Sequence, residues 1–415
     1  MVEVHPFRGV RYDPAVVGDV ASATAPALDD VGRFTYASRR TASPYTILEL
    51  LAEGLAGSYD HAGHVLRQWW RTGVLISDAA PTIYRYEEHH LRDGVPVVQR
   101  GLCVALTVTP FGTDGPVLPH EQTDPTRVAA RAARLHAVPL DVSPVFGLYR
   151  GAPETLRAVL DAQPDTPPVA AITDEAGTDH RVWRLDASAV GQVQAALASV
   201  QLVIADGHHR YASALSVAQQ RGPGAHGRTL AYLVDAQTHG PDVQPVHRLV
   251  RHTGGQFIHQ LQELFDVQQV DLTPAQATRQ VLDERGLAWA LYVHASKGPK
   301  VYLLRPHDEQ ALVAGTPSAY SETWRALDTA VLHHVVLPRL GIGDGQVAAR
   351  SDLGGAVEEV GNGNAAALFM LRPVAADTVV DLAQRGELMP AKSTAFSPKP
   401  RTGLVMRAAD TDHLP

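Results

Sequence analysis

Apolar residues recur along this chain with two periods, near every second residue and near every third or fourth, which predicts strands interleaved with helices. Ile83-Tyr84-Arg85-Tyr86-Glu87-Glu88-His89 and Val95-Pro96-Val97-Val98-Gln99-Arg100-Gly101 flank Arg92-Asp93-Gly94, a hairpin signal whose second arm is expected to continue over 102–108. Second and third hairpins are predicted from 169–173 with 180–185, and from 289–293 with 301–304. Further strands are expected at 229–234, 243–249 and 365–371. Helices are expected at 59–71, at 124–136 with its surface exposed, and at 187–198, 255–265, 324–337 and 379–385. The apolar run Val200-Gln201-Leu202-Val203-Ile204-Ala205 predicts a buried strand. It is followed by Asp206-Gly207-His208-His209-Arg210 as a loop and by a helix opening at Tyr211. Gly361-Asn362-Gly363-Asn364 reads as a turn, and its order does not match a dinucleotide-binding fingerprint.

At 415 residues the chain exceeds the size at which a single core stops growing, so more than one packed unit is expected. Its 45% hydrophobic and 19% charged residues are those of a folded protein. A net charge of −8 argues against general binding to nucleic acid or to a membrane surface. The single cysteine, Cys103, allows no intrachain disulfide and reads as a small buried hydrophobe. With no apolar leader run near Met1 and no membrane-length apolar stretch, the expected location is the cytoplasm.

Asp206-Gly207-His208-His209-Arg210 concentrates polar groups between a strand and a helix, where backbone N–H groups of the first helical turn attract anions. Gly207 permits close approach of a ligand to the backbone, and Arg210 offers a planar fork that matches phosphate oxygens. His208 and His209 can donate hydrogen bonds or, when neutral, accept a proton. Asp206 can orient a histidine or hold Mg2+ against phosphates. The alternative is a capped helix start with locally satisfied histidines.

Ala205-Asp206-Gly207-His208-His209-Arg210-Tyr211 resembles the hallmark of a bacterial and archaeal family of about this length, catalogued as of unknown function. That family is similar in turn to the nucleotide-binding core shared by ParB, sulfiredoxin and the free-serine kinases. Pro6-Phe7-Arg8-Gly9-Val10-Arg11-Tyr12 and Pro119-His120-Glu121-Gln122-Thr123 extend the resemblance, and the segment 389–400 closes it. The resemblance implies an α+β fold with a ParB/sulfiredoxin-like nucleotide-binding core, organised as segments 1–105, 106–250 and 251–415.

The free-serine kinases carry a His-Glu pair, an Arg a few residues on, and then an Asp-Gly-x-x-Arg-type box. This chain shows His120-Glu121 followed by Arg127, then Asp206 to Arg210. Carried over, Glu121 accepts the proton of the substrate hydroxyl, and Asp206 supports it or the metal ion. His209 is the third catalytic candidate. Gly207, His208, Arg210, His120 and Arg127 then surround the nucleotide, ATP or ADP. Lys392, Ser393, Thr394 and Lys399, on a proline-constrained loop, can close over phosphates. One departure is visible: Ala25-Pro26-Ala27-Leu28-Asp29-Asp30-Val31 stands where the resemblance leads one to expect Ala-Pro-Pro-Tyr-Asp-Val, so an aromatic residue is missing.

The function these readings imply is nucleotide-dependent phosphoryl transfer to a small hydroxylated metabolite, free L-serine first. The alternatives are a nucleotide hydrolase or other phosphoryl-transfer enzyme in the same cleft and a nucleotide-gated regulatory or binding protein of the ParB type. The region 251–283 lacks the basic cluster expected of a DNA-binding helix-turn-helix. Expected partners are the nucleotide and the small hydroxylated amino acid, with no nucleic acid or membrane, and a homodimer is left open. The pairs His61/His64, His89-His90 and His333-His334 read as structural or surface residues.

Overall fold

A computed structural model describes the chain except for residues 28–32, 52–58, 93, 113–114, 223, 239 and 410–415, and the side chains of 33–36. The departure at Leu28 to Val31 and the turn residue Asp93 therefore lie outside the described residues. The protein has a mixed α/β fold with several sheets, divided into two compact units: Met1–Pro241 with Pro398–Pro415, and Asp242–Ser397.

A nine-stranded sheet forms the centre of the first unit. Its strands are β1 (Val4–His5), β2 (Tyr84–Arg92), β3 (Val95–Thr107), β4 (Val117–Leu118), β5 (Val145–Tyr149), β6 (Ala170–Thr173), β7 (Asp179–Arg184), β8 (Leu202–Asp206) and β9 (Arg228–Asp235). They lie in the order β4-β8-β5-β9-β3-β2-β7-β6, with β1 paired to β3. The pairs β4/β8 and β5/β9 are parallel and the others antiparallel. Because β3 runs across residue 105 and pairs with β9, the expected segments 1–105 and 106–250 share one sheet and do not separate.

One face of this sheet is apolar and covered by helices. Ile83, Leu102, Val104, Val145, Leu202, Ile204, Ala231 and Leu233 pack against α2 (Glu154–Asp161), α3 (Ala187–Leu197) and α4 (His208–Arg221). The alternate residues of the same strands face the other way and carry Tyr84, Tyr86, Phe146 and Tyr232, as the pleat requires. The helix α1 (Pro125–Ala137) lies against α4, with Ala132, Leu135 and Val217 in contact. The expectation that α1 is simply exposed is corrected: Arg131, Ala132, Arg134 and Leu135 are buried on its inner face.

A four-stranded sheet, ordered Leu75–Ser77, Gly9–Tyr12, Met406–Ala408, Leu140–Asp141, completes this unit. Asp141 ties it to β9: its Oδ2 accepts from the Leu230 N–H at 3.0 Å and from Arg407 Nε at 2.9 Å. Both side chains are buried. Removing one member of a buried pair leaves the other charge uncompensated. Asp141→Ala is therefore expected to lower stability by about 3–5 kcal/mol, and adding Arg407→Met should recover much of the loss. Urea unfolding of the single and double variants measures both.

The second unit is built on a fully antiparallel six-stranded sheet, ordered Phe265–Val270, Lys300–Pro306, Trp289–Val293, Ala367–Met370, His247–Val250, Val347–Arg350. Trp289 and Leu291 enter one apolar core, while Ala290 and Tyr292 enter another on the opposite face. Three expectations fail here, the first being the strand over 243–249, which is split between Asp242–Gln244, paired with Ala395–Ser397, and His247–Val250. The helix over 255–265 is only Phe257–Gln262, and its expected last residue, Phe265, instead opens a strand. The helix over 324–337 is broken into Glu322–Arg325, Asp328–Val331, a π-helical run Leu332–Val336 and Leu337–Arg339, because Leu327 is extended at φ −62°, ψ 133°. Among the described residues no helix is long and apolar enough to cross a membrane.

Candidate active site

The Asp206 box sits where β8 ends and α4 begins. Ala205 is skipped in the pairing of β8 with β5, so that Ile204 opposes Gly147 and Asp206 opposes Phe146. This one-residue slip places Asp206 with Phe146 and Tyr232, away from the helix-covered core that contains Ile204. Gly207 follows in the left-handed region, at φ 93°, ψ 25°, and caps α4 without a side-chain bond. The helix starts at His208, three residues earlier than the pattern predicts, so His208, His209 and Arg210 form its first turn instead of a preceding loop. Tyr211 N–H makes the first intrahelical bond, to the Gly207 carbonyl at 2.9 Å. The amides of the three residues before it are not used by the helix ladder. Tyr211 pins this turn: its ring is buried against Phe111, and its hydroxyl meets the Thr109 N–H at 2.9 Å.

Arg210 folds back across Gly207. Its Nη2 donates to Asp206 Oδ2 at 2.5 Å and its Nη1 to Ser143 Oγ at 3.0 Å. The side chain is only 8% exposed, yet Nε has no hydrogen-bond partner. A Cβ at position 207 would lie 2.7 Å from Arg210 Nε, so only glycine leaves room for the guanidinium. The other Asp206 oxygen, Oδ1, lies 3.9 Å from Lys399 Nζ. One carboxylate is thus bracketed by two cations at the start of a helix.

His120 arrives from the loop after β4. Its ring stands edge-on to His208, with centroids 4.5 Å apart, and both rings are buried. His120 Nδ1 lies 2.6 Å from the Ile204 carbonyl, which can only accept, so Nδ1 carries the proton. His208 Nε2 accepts the His120 backbone N–H at 3.2 Å. Glu121, the next residue, is therefore carried to the box by its own backbone and is half-buried. His209 Nε2 accepts the Asp124 N–H at 2.9 Å. That bond ties the loop to α4. Arg127 is exposed on the first turn of α1, its Nε 3.9 Å from the Asp124 carboxylate.

Lys392, Ser393 and Thr394 belong to the second unit. Ser393 is buried, donating to the Pro390 carbonyl at 2.6 Å and meeting Thr329 Oγ1 at 2.9 Å, which gives it a structural role. Lys392 is exposed at φ 56°. Its carbonyl and that of Ala391 accept from Arg248 Nη2 at 3.0 and 3.1 Å. His333 accepts from Arg248 Nε at 2.8 Å. In the first unit Arg11 pairs with Asp78 at 2.5 Å, which makes it structural, and Arg8 is exposed. Cys103 is buried, and burial pushes its thiol up, as suits a hydrophobe rather than a nucleophile.

The residues do not fit the expected Mg2+ site at Asp206. Both of its oxygens face cations, and among the described residues no group of three His, Cys, Asp or Glu side chains could hold a metal ion.

Two features escaped the pattern reading. Ser143 links Arg210 to Thr402, 3.2 Å away. Arg401, buried at 3% exposure, belongs to a polar network behind the box. In that network the Tyr86 hydroxyl accepts the Arg401 N–H at 3.1 Å and lies 2.7 Å from His180 Nδ1, while His180 Nε2 lies 3.1 Å from Asp174 Oδ2. Glu88 lies beside it, fully buried, with Gln99 Nε2 donating to its Oε2 at 2.5 Å. Burial pushes the Glu88 carboxyl up to about 7, against the lowering effect of His180 and Gln99. Its contribution to stability is full below its ordinary value of 4.5 and falls as pH rises through about 7. Linkage limits the slope to roughly 1.4 kcal/mol per pH unit. Glu88→Gln is expected to flatten that slope, which urea unfolding across the window measures.

No curated protein matches the chain. Among solved structures it is similar to a free serine kinase in complex with AMP, at 15% identity and a TM-score of 0.34, covering 71% of this chain and 86% of that one. It is also similar to a conserved hypothetical protein from Pyrococcus furiosus, at 14% identity and a TM-score of 0.33, covering 71% and 90%. SbnI from Staphylococcus aureus, with a C-terminal truncation, matches at 13% identity and a TM-score of 0.34, covering 71% and 84%. A family model described as a protein of unknown function, DUF1015, matches residues 4–330, and the chain belongs to that family.

Proposed function

We propose that this protein transfers a phosphoryl group from ATP or ADP to the hydroxyl of a small metabolite, with free L-serine the first acceptor to test. The observation that carries the reading is the Arg210 guanidinium: buried, laid across a left-handed glycine at a helix start and held there by Asp206 and Ser143. Phosphate oxygens match a guanidinium fork and helix-start amides together. The matching His120-Glu121 and Asp206-to-Arg210 boxes support the same reading, which takes the core for a ParB/sulfiredoxin-like nucleotide-binding unit.

In this mechanism the amides of His208, His209 and Arg210 hold the nucleotide's phosphates, with the Arg210 side chain fixed by Asp206 and Ser143. Glu121 orients the acceptor hydroxyl and takes its proton as the hydroxyl oxygen bonds to phosphorus. The bond from phosphorus to the nucleotide oxygen breaks, and AMP or ADP leaves with that electron pair. Asp206 positions the cations and is not itself the base. No step is routed through a metal.

The test incubates the full chain with ATP or ADP and a panel of hydroxy-amino acids, with and without Mg2+, followed by phosphorus NMR. Nucleotide is expected to be consumed, with phosphate appearing on the acceptor, only when the acceptor is present. Nucleotide consumption without an acceptor would establish a hydrolase instead, and binding without turnover a nucleotide-gated binder.

A further inference from the structure

We propose that Lys399 exchanges Asp206 for the nucleotide's phosphate when ligand binds, and that Arg401 is the positioning residue that holds Lys399 at the site; this rests on the nucleotide reading above. Asp206 shares its carboxylate unequally. Arg210 holds one oxygen at 2.5 Å, while Lys399 stands 3.9 Å from the other, a loose ion pair that a stronger anion can replace. Both side chains of the loose pair are largely buried, at 17% and 16% exposure, so solvent screens their charges little.

The backbone that carries Lys399 is fixed on both sides. The Pro398 carbonyl accepts from Gln99 Nε2 at 3.3 Å, and the Arg401 N–H donates to the Tyr86 hydroxyl at 3.1 Å. Thr402 and Ala25 exchange both backbone bonds, at 2.9 and 3.0 Å. The Arg401 guanidinium is occupied from several directions: Nε donates to Thr24 Oγ1 at 2.9 Å, Nη2 to the Ala21 carbonyl at 3.2 Å, and Nη1 pairs with Glu175 at 2.9 Å and Asp174 at 3.7 Å. The guanidinium is buried while its partner Glu175 is half exposed, and four acceptors on two segments hold it in place. Here the geometry they fix is that of the residue two positions away, whose ammonium faces Asp206. Thr402, through Ser143, also touches the group that holds Arg210. Both phosphate-facing cations are thus referred to one strap.

Calorimetric titration of AMP, ADP and tripolyphosphate into the full-length wild type, Lys399→Gln, Lys399→Arg, Arg401→Lys and Tyr86→Phe tests this. Lys399→Gln is expected to weaken ADP about ten- to a hundred-fold and AMP less, with Lys399→Arg restoring most of the loss. Arg401→Lys and Tyr86→Phe should narrow the ADP-over-AMP preference in the same direction, a change that general loosening of the fold would not select. Unchanged ADP affinity in Lys399→Gln overturns the exchange. An unchanged ADP-over-AMP preference in both Arg401→Lys and Tyr86→Phe overturns the positioning role. A wild type that takes tripolyphosphate but neither nucleotide defeats the nucleotide reading alone, and Lys399 is then judged on tripolyphosphate. A wild type that binds none of the three defeats both.

Discussion

Gly207→Ala is expected to weaken nucleotide binding and to destabilise the first unit. At φ 93° an L side chain is strained, by about 1–2 kcal/mol. The added Cβ would also meet Arg210 Nε and Nη2, both at 2.7 Å. The backbone cannot yield easily, because β8 ends one residue before and Tyr211 pins the helix just after. The guanidinium must therefore leave Asp206 and Ser143, which disperses the cation that the phosphates need. A loss of at least about tenfold in ADP affinity is expected, since charge-assisted bonds are forfeited. Gly222→Ala is the control. Gly222 also has positive φ, at 83°, but nothing lies within 4 Å of its added Cβ. It should show the strain in urea unfolding without the loss in calorimetry. If Gly207→Ala binds ADP as the wild type does, the folded-back arginine has no part in binding.

Glu121→Gln is expected to reduce phosphoryl transfer by about 10²- to 10⁴-fold while ADP affinity stays near that of the wild type. The amide keeps the size of the carboxylate and loses only its capacity to take a proton. Asp206→Ala should differ in kind. It releases both Arg210 and Lys399, so binding and transfer fall together. Single-turnover rates at saturating nucleotide, set beside calorimetric affinities, separate these patterns. Equal transfer rates in Glu121→Gln and wild type would remove Glu121 from the chemistry.

Much of this arrangement was legible in the sequence because it is local. The hairpins of β2 with β3 and of β6 with β7 follow from alternation and turn residues within about a dozen positions, and so does the strand–helix unit holding the box. Other features depend on partners far away in the chain. The start of α4 was misplaced because His208 and His209 have little intrinsic preference for a helix; their place in it is fixed by Gly207 and by the anchoring of Tyr211. The slip at Ala205 leaves no mark in the periodicity, since it is a property of pairing with β5. Ser143 and Arg401 were invisible for the same reason: a lone serine and an arginine near a proline announce nothing until Arg210 and Tyr86 are brought beside them. The break at Leu327 likewise interrupts a stripe that a helical period reads as continuous.

The segment Met406–Ala408 occupies an inner position of its four-stranded sheet, between Gly9–Tyr12 and Leu140–Asp141. A chain is synthesised from its N-terminus, so the residues that finish the first unit leave the ribosome only after the whole of 242–397 has been made. Until then the nascent protein carries a sheet with a gap in its middle and bare strand edges, the state in which chains are most open to wrong pairing. Early arrest of translation would thus yield an aggregation-prone intermediate, and the first unit is expected to complete its folding only after 398–409 has left the ribosome.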